Sequence, residues 1–128
     1  MQARFIHRCT HVLDLEATKE FYEKALGFHV VRVSGPEDGS WSADGFWTNT
    51  FMVNDSSPFE LELTWNRGRT EPYDNGGRDT HIAFAVDDFE AYHELHRQMG
   101  VIDKENPAMG LYFICDPDGQ RIEILPEK

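Results

Sequence analysis

The sequence predicts an α+β fold built from two copies of one βαβββ module, on three observations. The first is an internal repeat. The stretch from His7, HRCTHVLDLEATKEFYEKALGF, and the stretch from His81, HIAFAVDDFEAYHELHRQMGV, follow one plan. In both, an Asp stands seven residues after the His (Asp14, Asp88) and an apolar residue follows it (Leu15, Phe89). A glycine arrives twenty residues after His7 (Gly27) and nineteen after His81 (Gly100). Each half later carries a Glu inside an apolar alternation, Leu61-Glu62-Leu63 and Ile122-Glu123-Ile124. The second observation is that each half reads as strand, helix, then several strands. The third is length: 128 residues make one domain against a prior of about 100 to 200. The modules are expected at about 1–66 and 80–128, joined by a linker at about 67–79.

Residues 4–13 and 80–86 read as strands. In the second, Ile82, Phe84 and Val86 share one face, while His81, Ala83 and Ala85 share the other. Residues 15–26 and 88–99 read as helices. Their apolar stripes are Leu15, Thr18, Phe21, Tyr22 and Ala25, and then Phe89, Tyr92, Leu95 and Met99. Asp87 with Glu90 resembles a capping box, and Gly27 and Gly100 suit C-terminal positions that need φ > 0. Strands follow at about 28–34, 46–53 and 59–65, and at 101–104, 111–115 and 121–125. Asp116-Pro117-Asp118-Gly119 predicts a hairpin before the last strand, since Pro presets one central φ and Gly accepts the positive one. The polar stretch 66–80 holds three glycines and reads as the linker, and 34–44 reads as a long loop. Trp41, Phe46, Trp47 and Phe51 fall in or after that loop, where pocket wall and core packing are equal alternatives.

Twelve basic against 23 acidic residues give a net charge of −11, a field that repels phosphate backbones, so nucleic-acid binding is disfavoured. No apolar run approaches the ~18 residues of a membrane span and the first ten residues carry no signal-peptide core. A soluble, cytoplasmic protein is expected. Cys9 and Cys115 sit in apolar, strand-like runs outside any C-x-x-C motif and read as reduced thiols.

The duplication supplies two His and two Glu at equivalent places, His7, Glu62, His81 and Glu123, each on a strand face opposite bulky aliphatic residues. Two imidazoles and two carboxylates suit one first-row divalent ion with positions left open for water, hence a catalytic site. A carboxylate in such a set can also carry a proton. Other signals are weaker. His93-Glu94-Leu95-His96 spaces its histidines three apart, not the four of a zincin helix, and both read as solvated. Cys9 shares the strand face of His7 and reads as a neighbouring thiol, because no basic residue or helix N-terminus is evident to activate it. His29 belongs to no constellation.

These residues resemble glyoxalase I, in the vicinal-oxygen-chelate superfamily. The likeness runs through His7, Asp14-Leu15, Phe21-Tyr22, Ala25-Leu26-Gly27, Leu61-Glu62-Leu63-Thr64, Asn66 and Gly68. It continues through His81-Ile82-Ala83, Val86-Asp87, Gly110-Leu111, Asp116-Pro117-Asp118-Gly119 and Ile122-Glu123-Ile124. Relatives that are dioxygenases or fosfomycin-modifying enzymes resemble one another in using His at the second ligand place, and methylmalonyl-CoA epimerases use Gln. Glu62 there points to the glyoxalase branch. The resemblance implies curved mixed sheets cupped around one divalent metal per site, Ni²⁺ or Co²⁺ favoured and Zn²⁺ the alternative. It implies His7, Glu62, His81 and Glu123 as ligands, with Glu123 the principal base and Glu62 the opposing carboxylate. It also implies a hemithioacetal of methylglyoxal and a thiol as substrate, an S-lactoyl thioester as product through an enediolate, and a homodimer whose sites are shared between subunits.

Departures concern the substrate. His11 stands where the family has an arginine for the glutamyl end of glutathione, and Met109 where it has a lysine. Asn66 matches a glutathione contact, and Arg78 lies one residue from an expected arginine. Arg67, Arg69 and Arg121 are candidates to compensate. Losing charge-assisted contacts worth about 1.5 to 3 kcal/mol each can change the thiol or remove it. The competing readings are an epimerase or other lyase on the same metal chemistry, and a metal-free binding module like the bleomycin-resistance proteins.

Overall fold

Alternation along β1 (His7–Val12) buries Thr10 and Val12 and leaves Cys9 and His11 exposed, so one strand face is set aside for the core. The structure is a computed structural model that describes residues 1–35 and 47–128. Most of the expected long loop, with Trp41 and Phe46, lies outside the described residues. The chain divides into two compact units, Met1–Tyr73 and Asp74–Lys128, and the division falls inside the expected linker.

In the first unit, α1 (Leu15–Leu26) occupies the residues its pattern predicts. Asp14 caps it, its carboxylate accepting from the Ala17 backbone N–H at 3.0 Å, and Gly27 ends it at φ 71°. The helix buries Thr18, Phe21, Tyr22, Ala25 and Leu26. They share the core with Val12, Met52, Leu61 and Leu63. Then come β2 (His29–Ser34), β3 (Trp47–Asn54) and β4 (Ser57–Asn66). The sheet order is β1-β4-β3-β2, with β1 parallel to β4 and the other pairs antiparallel.

The second unit repeats the plan with β5 (Ile82–Val86), α2 (Phe89–Met99), β6 (Ile102–Asn106), β7 (Leu111–Cys115) and β8 (Arg121–Pro126). Its order is β5-β8-β7-β6, again with one parallel pair. The predicted hairpin joins β7 to β8. Asp116 accepts from the N–H groups of Asp118 and Gln120, both at 2.9 Å, and Gly119 takes φ 80°. A short 3₁₀ turn, Gly77–Asp79, stands in the stretch expected to be plain linker.

Two details differ from the sequence reading. The cap of α2 is Asp88, not Asp87: Asp88 accepts from the Ala91 N–H at 3.1 Å, as its repeat equivalent Asp14 does in α1. The inward face of α2 is also rotated. Leu95 is 36% exposed, whereas His96, expected in solvent, is fully buried. Residues 89, 92, 93, 96 and 99 form one face at helical spacing, and Leu95 lies about 100° round from His96. A polar ring can take that place because a 2.8 Å hydrogen bond joins His96 Nδ1 to the Tyr112 hydroxyl.

Burial pushes the Tyr112 phenol up from its ordinary pKa, so the fold favours the protonated form. That contribution is complete below about pH 10 and is lost as pH rises above it. Tyr112→Phe is expected to cost about 1–3 kcal/mol at neutral pH by removing a buried hydrogen bond. Denaturant midpoints measured at neutral and at alkaline pH check both points, and the variant should lose less than the parent on going alkaline.

Candidate metal centre

The face of the first sheet turned away from α1 is polar. Parallel pairing sets His7 against Glu60, Cys9 against Glu62 and His11 against Thr64, and antiparallel pairing sets Phe51 against Glu62 and Asn49 against Thr64. Leu61 and Leu63 point into the core at 2% and 0% exposure, which forces Glu62 between them onto the polar face. His7 and Glu62 thus stand on adjacent strands of one face. The His7 ring meets Phe51 edge-on, with centroids 5.9 Å apart. Its Nδ1 is buried without a hydrogen-bond partner among the described residues. Arg32 lies 3.7 Å over the Phe51 ring and donates to both Glu60 oxygens at 3.0 and 3.1 Å. Cys9 Sγ is 3.3 Å from the Thr64 hydroxyl, which donates to Asn49 at 2.8 Å. Burial above all pushes the Cys9 thiol up, the Thr64 hydrogen bond opposing and the Glu62 carboxylate adding to the rise. This thiol is no activated nucleophile.

In the second unit, His81 stands one residue ahead of β5, and Glu123 pairs in register with Ala83 and Phe113. Ile122 and Ile124 are fully buried and hold Glu123 on the opposite face. His81 Nε2 is 3.9 Å from Glu123 Oε2, beyond hydrogen-bond range. The His81 ring is edge-on to Phe113 at 5.6 Å. Arg121 lies 4.0 Å over Phe113 and reaches Asp103 at 3.3 Å. Among the described residues, no three His, Cys, Asp or Glu side chains gather into a cluster, so each sheet face offers a His and a Glu.

The expected substrate contacts are spread more widely. Asn66 donates to the Tyr73 hydroxyl at 3.1 Å, His11 lies 5.2 Å from the same ring and the Arg69 guanidinium 4.3 Å over it. Tyr73 therefore gathers three candidates, yet nothing in the polar linker sequence singled it out. Arg69 also donates to the carbonyls of Glu71 and Pro72. Arg67 is exposed, Met109 is 72% exposed, and the Arg78 side chain lies outside the described residues. Arg121 is committed to Asp103 and Phe113, with 11% of its side chain exposed. His93, set aside from the sequence, binds Glu105 at 2.5 Å in a hollow of about 330 Å³. That hollow lies on the α2 side of the second sheet, where Glu105 pairs with Tyr112, and not on the face of Glu123. No helix among the described residues is long and apolar enough to cross a membrane.

Two βαβββ modules, each offering a His and a Glu from the polar face of a mixed sheet, define a paired-module protein with the chemistry of a metal centre. The chain belongs to the Glyoxalase/Bleomycin resistance protein/Dioxygenase superfamily, whose pattern it matches over residues 5–124. It is 33% identical to the lactoylglutathione lyase of Neisseria meningitidis serogroup A, over 98% of this chain and 91% of the relative. It is 32% identical to that of Escherichia coli O157:H7, over 98% and 93%. Among solved structures, the trypanothione-dependent glyoxalase I of Leishmania major is similar at a TM-score of 0.79 and 34% identity, covering 98% of this chain and 88% of that one. Glyoxalase I from Zea mays is similar at a TM-score of 0.78 and 28% identity, covering 97% of this chain and 44% of that longer one.

Proposed function

We propose that this chain is a metal-dependent isomerase of the glyoxalase I type, converting the hemithioacetal of methylglyoxal and a thiol into an S-lactoyl thioester. The observation that carries the reading is the matched His and Glu on each sheet face, in a chain aligned nearly end to end with lactoylglutathione lyases. His7, Glu62, His81 and Glu123 hold the divalent ion that these relatives imply, Ni²⁺ or Co²⁺ in preference to Zn²⁺. Two donors each about 2.1 Å from one ion stand no more than about 4.2 Å apart, and the 3.9 Å between His81 and Glu123 satisfies that limit. The buried, unpartnered His7 Nδ1 also fits a ring whose polar capacity is completed by a bound group. When bound, such an ion supplies a Lewis acid that lowers the cost of negative charge on two adjacent oxygens.

Glu123 takes the proton from C1 of the hemithioacetal and returns it to C2. The hydroxyl proton passes from the C1 oxygen to the C2 oxygen, so C1 becomes the thioester carbonyl with no net oxidation. Buried Ile122 and Ile124 fix the backbone from which the Glu123 carboxylate projects. Glu62 is the opposing carboxylate. Asn66, His11, Arg78 and Met109 are the proposed contacts to the thiol portion. The thiol is expected to follow these residues, because His11 and Met109 bring fewer fixed cations than glyoxalase I uses for glutathione. The trypanothione-dependent relative supports a variable thiol. The protein works in the cytoplasm as a homodimer with sites shared between copies. Two free cysteines fit a reducing compartment, and exposed Val30, Val31 and Val33 on edge strand β2 offer apolar surface for a second copy.

The test is turnover. Metal-loaded protein is expected to form thioester from methylglyoxal with at least one of several small thiols, glutathione among them. Absence of thioester with every thiol, from protein shown to hold metal, contradicts the reading.

A further inference from the structure

We propose that Arg32 and Arg121 are positioning residues, each pinning a phenylalanine ring that in turn orients a metal-ligand histidine. In the first unit Arg32 covers the Phe51 face, Glu60 clamps the guanidinium, and His7 stands edge-on to the ring at 81°. In the second, Arg121 covers Phe113, Asp103 holds it, and His81 stands edge-on at 82°. Phe51 and Phe113 are the register partners of Glu62 and Glu123 respectively, so each ring that an arginine covers stands beside a candidate ligand carboxylate.

Duplication alone does not account for this likeness, because the two arginines come from strands that are not equivalent. The arginine comes from edge strand β2 and the acid from β4 in the first unit. In the second, the arginine comes from β8 and the acid from edge strand β6. Glu60 and Arg121 occupy equivalent places, two residues before Glu62 and Glu123. Arg32 is the register partner of Phe51 just past the shift in β2, where Lys104 is the partner of Phe113 in β6, and Asp103 lies inside the β6 shift as Val31 lies inside that of β2. The place of Glu60 has thus changed sign to Arg121, and a guanidinium from a different strand covers the equivalent phenylalanine. Stability is a weak reason to keep the first stack, since an ion pair as exposed as Arg32–Glu60 contributes little to folding. Cation and imidazole edge instead meet the ring in complementary ways. The guanidinium takes the negative π-face, well within the ~6 Å of such contacts, and the ring is held in one plane against the histidine.

The proposal rests on His7 and His81 being ligands, so the test reads the rings as well as the metal. In the metal-free full chain, Arg32→Met is expected to move the ring-proton NMR signals of His7, and Arg121→Met those of His81, with His29 unmoved. Calorimetric metal affinity should fall about 10- to 100-fold, the usual loss when a partner behind a ligand is removed. In a Phe51→Leu background Arg32→Met should add less than about twofold, because its effect passes through the ring. If Arg32→Met fails to fold, Glu60→Gln loosens the clamp with the guanidinium kept and should move the same signals. Unmoved His7 and His81 signals with parental affinity overturn the proposal, as does an equal loss with and without Phe51. His7→Ala that keeps full affinity would instead defeat the ligand reading, while the ring signals still decide whether arginine orients histidine.

Discussion

Replacing Glu123 by Gln is expected to lower turnover of hemithioacetal by about 10²- to 10⁴-fold with metal still bound, the usual loss when a general base is removed. The amide keeps an oxygen donor of similar shape, so the ion is retained more weakly, but it has no basic site for the C1 proton. Ile122 and Ile124 are fully buried on either side, so the substitution leaves the core of β8 intact and the loss reports chemistry rather than folding. Glu62→Gln should be milder on the proposed assignment, in which Glu62 mainly ligates and balances charge. The measurement is kcat for both variants at saturating substrate, with metal content determined on the same samples. A Glu123→Gln protein that holds metal and turns over at near the parental rate would move the proton to Glu62.

Stripping the metal is expected to abolish turnover altogether. On the proposed reading carboxylates face the substrate, while the arginines described on the two sheet faces are engaged elsewhere, Arg32 by Glu60 and Arg121 by Asp103. Negative charge developing on two substrate oxygens would then meet the carboxylates of Glu62 and Glu123 uncompensated. After chelation, readdition of Ni²⁺ or Co²⁺ should restore more activity than Zn²⁺. At a hundredfold excess over Kd the ion should also stabilise the fold by about 2.7 kcal/mol, visible as a rise in Tm. A metal-free preparation with parental turnover contradicts this.

What was legible in the sequence was the periodic part. Gly27 ends α1 where the pattern put it, and the alternation around Glu62 and Glu123 placed both carboxylates opposite the buried aliphatics, as the register bears out. The inward face of α2 was misjudged because an apolar count does not see a histidine made buriable by a tyrosine sixteen residues away, as Tyr112 does for His96. The arginine stacks were hidden for a related reason. Arg32 and Arg121 are not equivalent in the repeat: Arg32 meets Phe51 just past the register shift in β2, whereas Arg121 on β8 pairs with Cys115 and reaches Phe113 diagonally. Tyr73 lies in a stretch whose composition signals only a linker; its contacts with Asn66 and Arg69 depend on how that stretch turns, and its contact with His11 on packing between distant segments.

The central claim is that His7, Glu62, His81 and Glu123 are the ligands of one divalent ion, and a crystal structure of the metal-loaded protein tests it most directly. The account predicts an ion with all four side chains within about 2.0–2.2 Å, two of them from each copy of a homodimer. An ion bound elsewhere, with these side chains more than ~3 Å from it, would contradict the account.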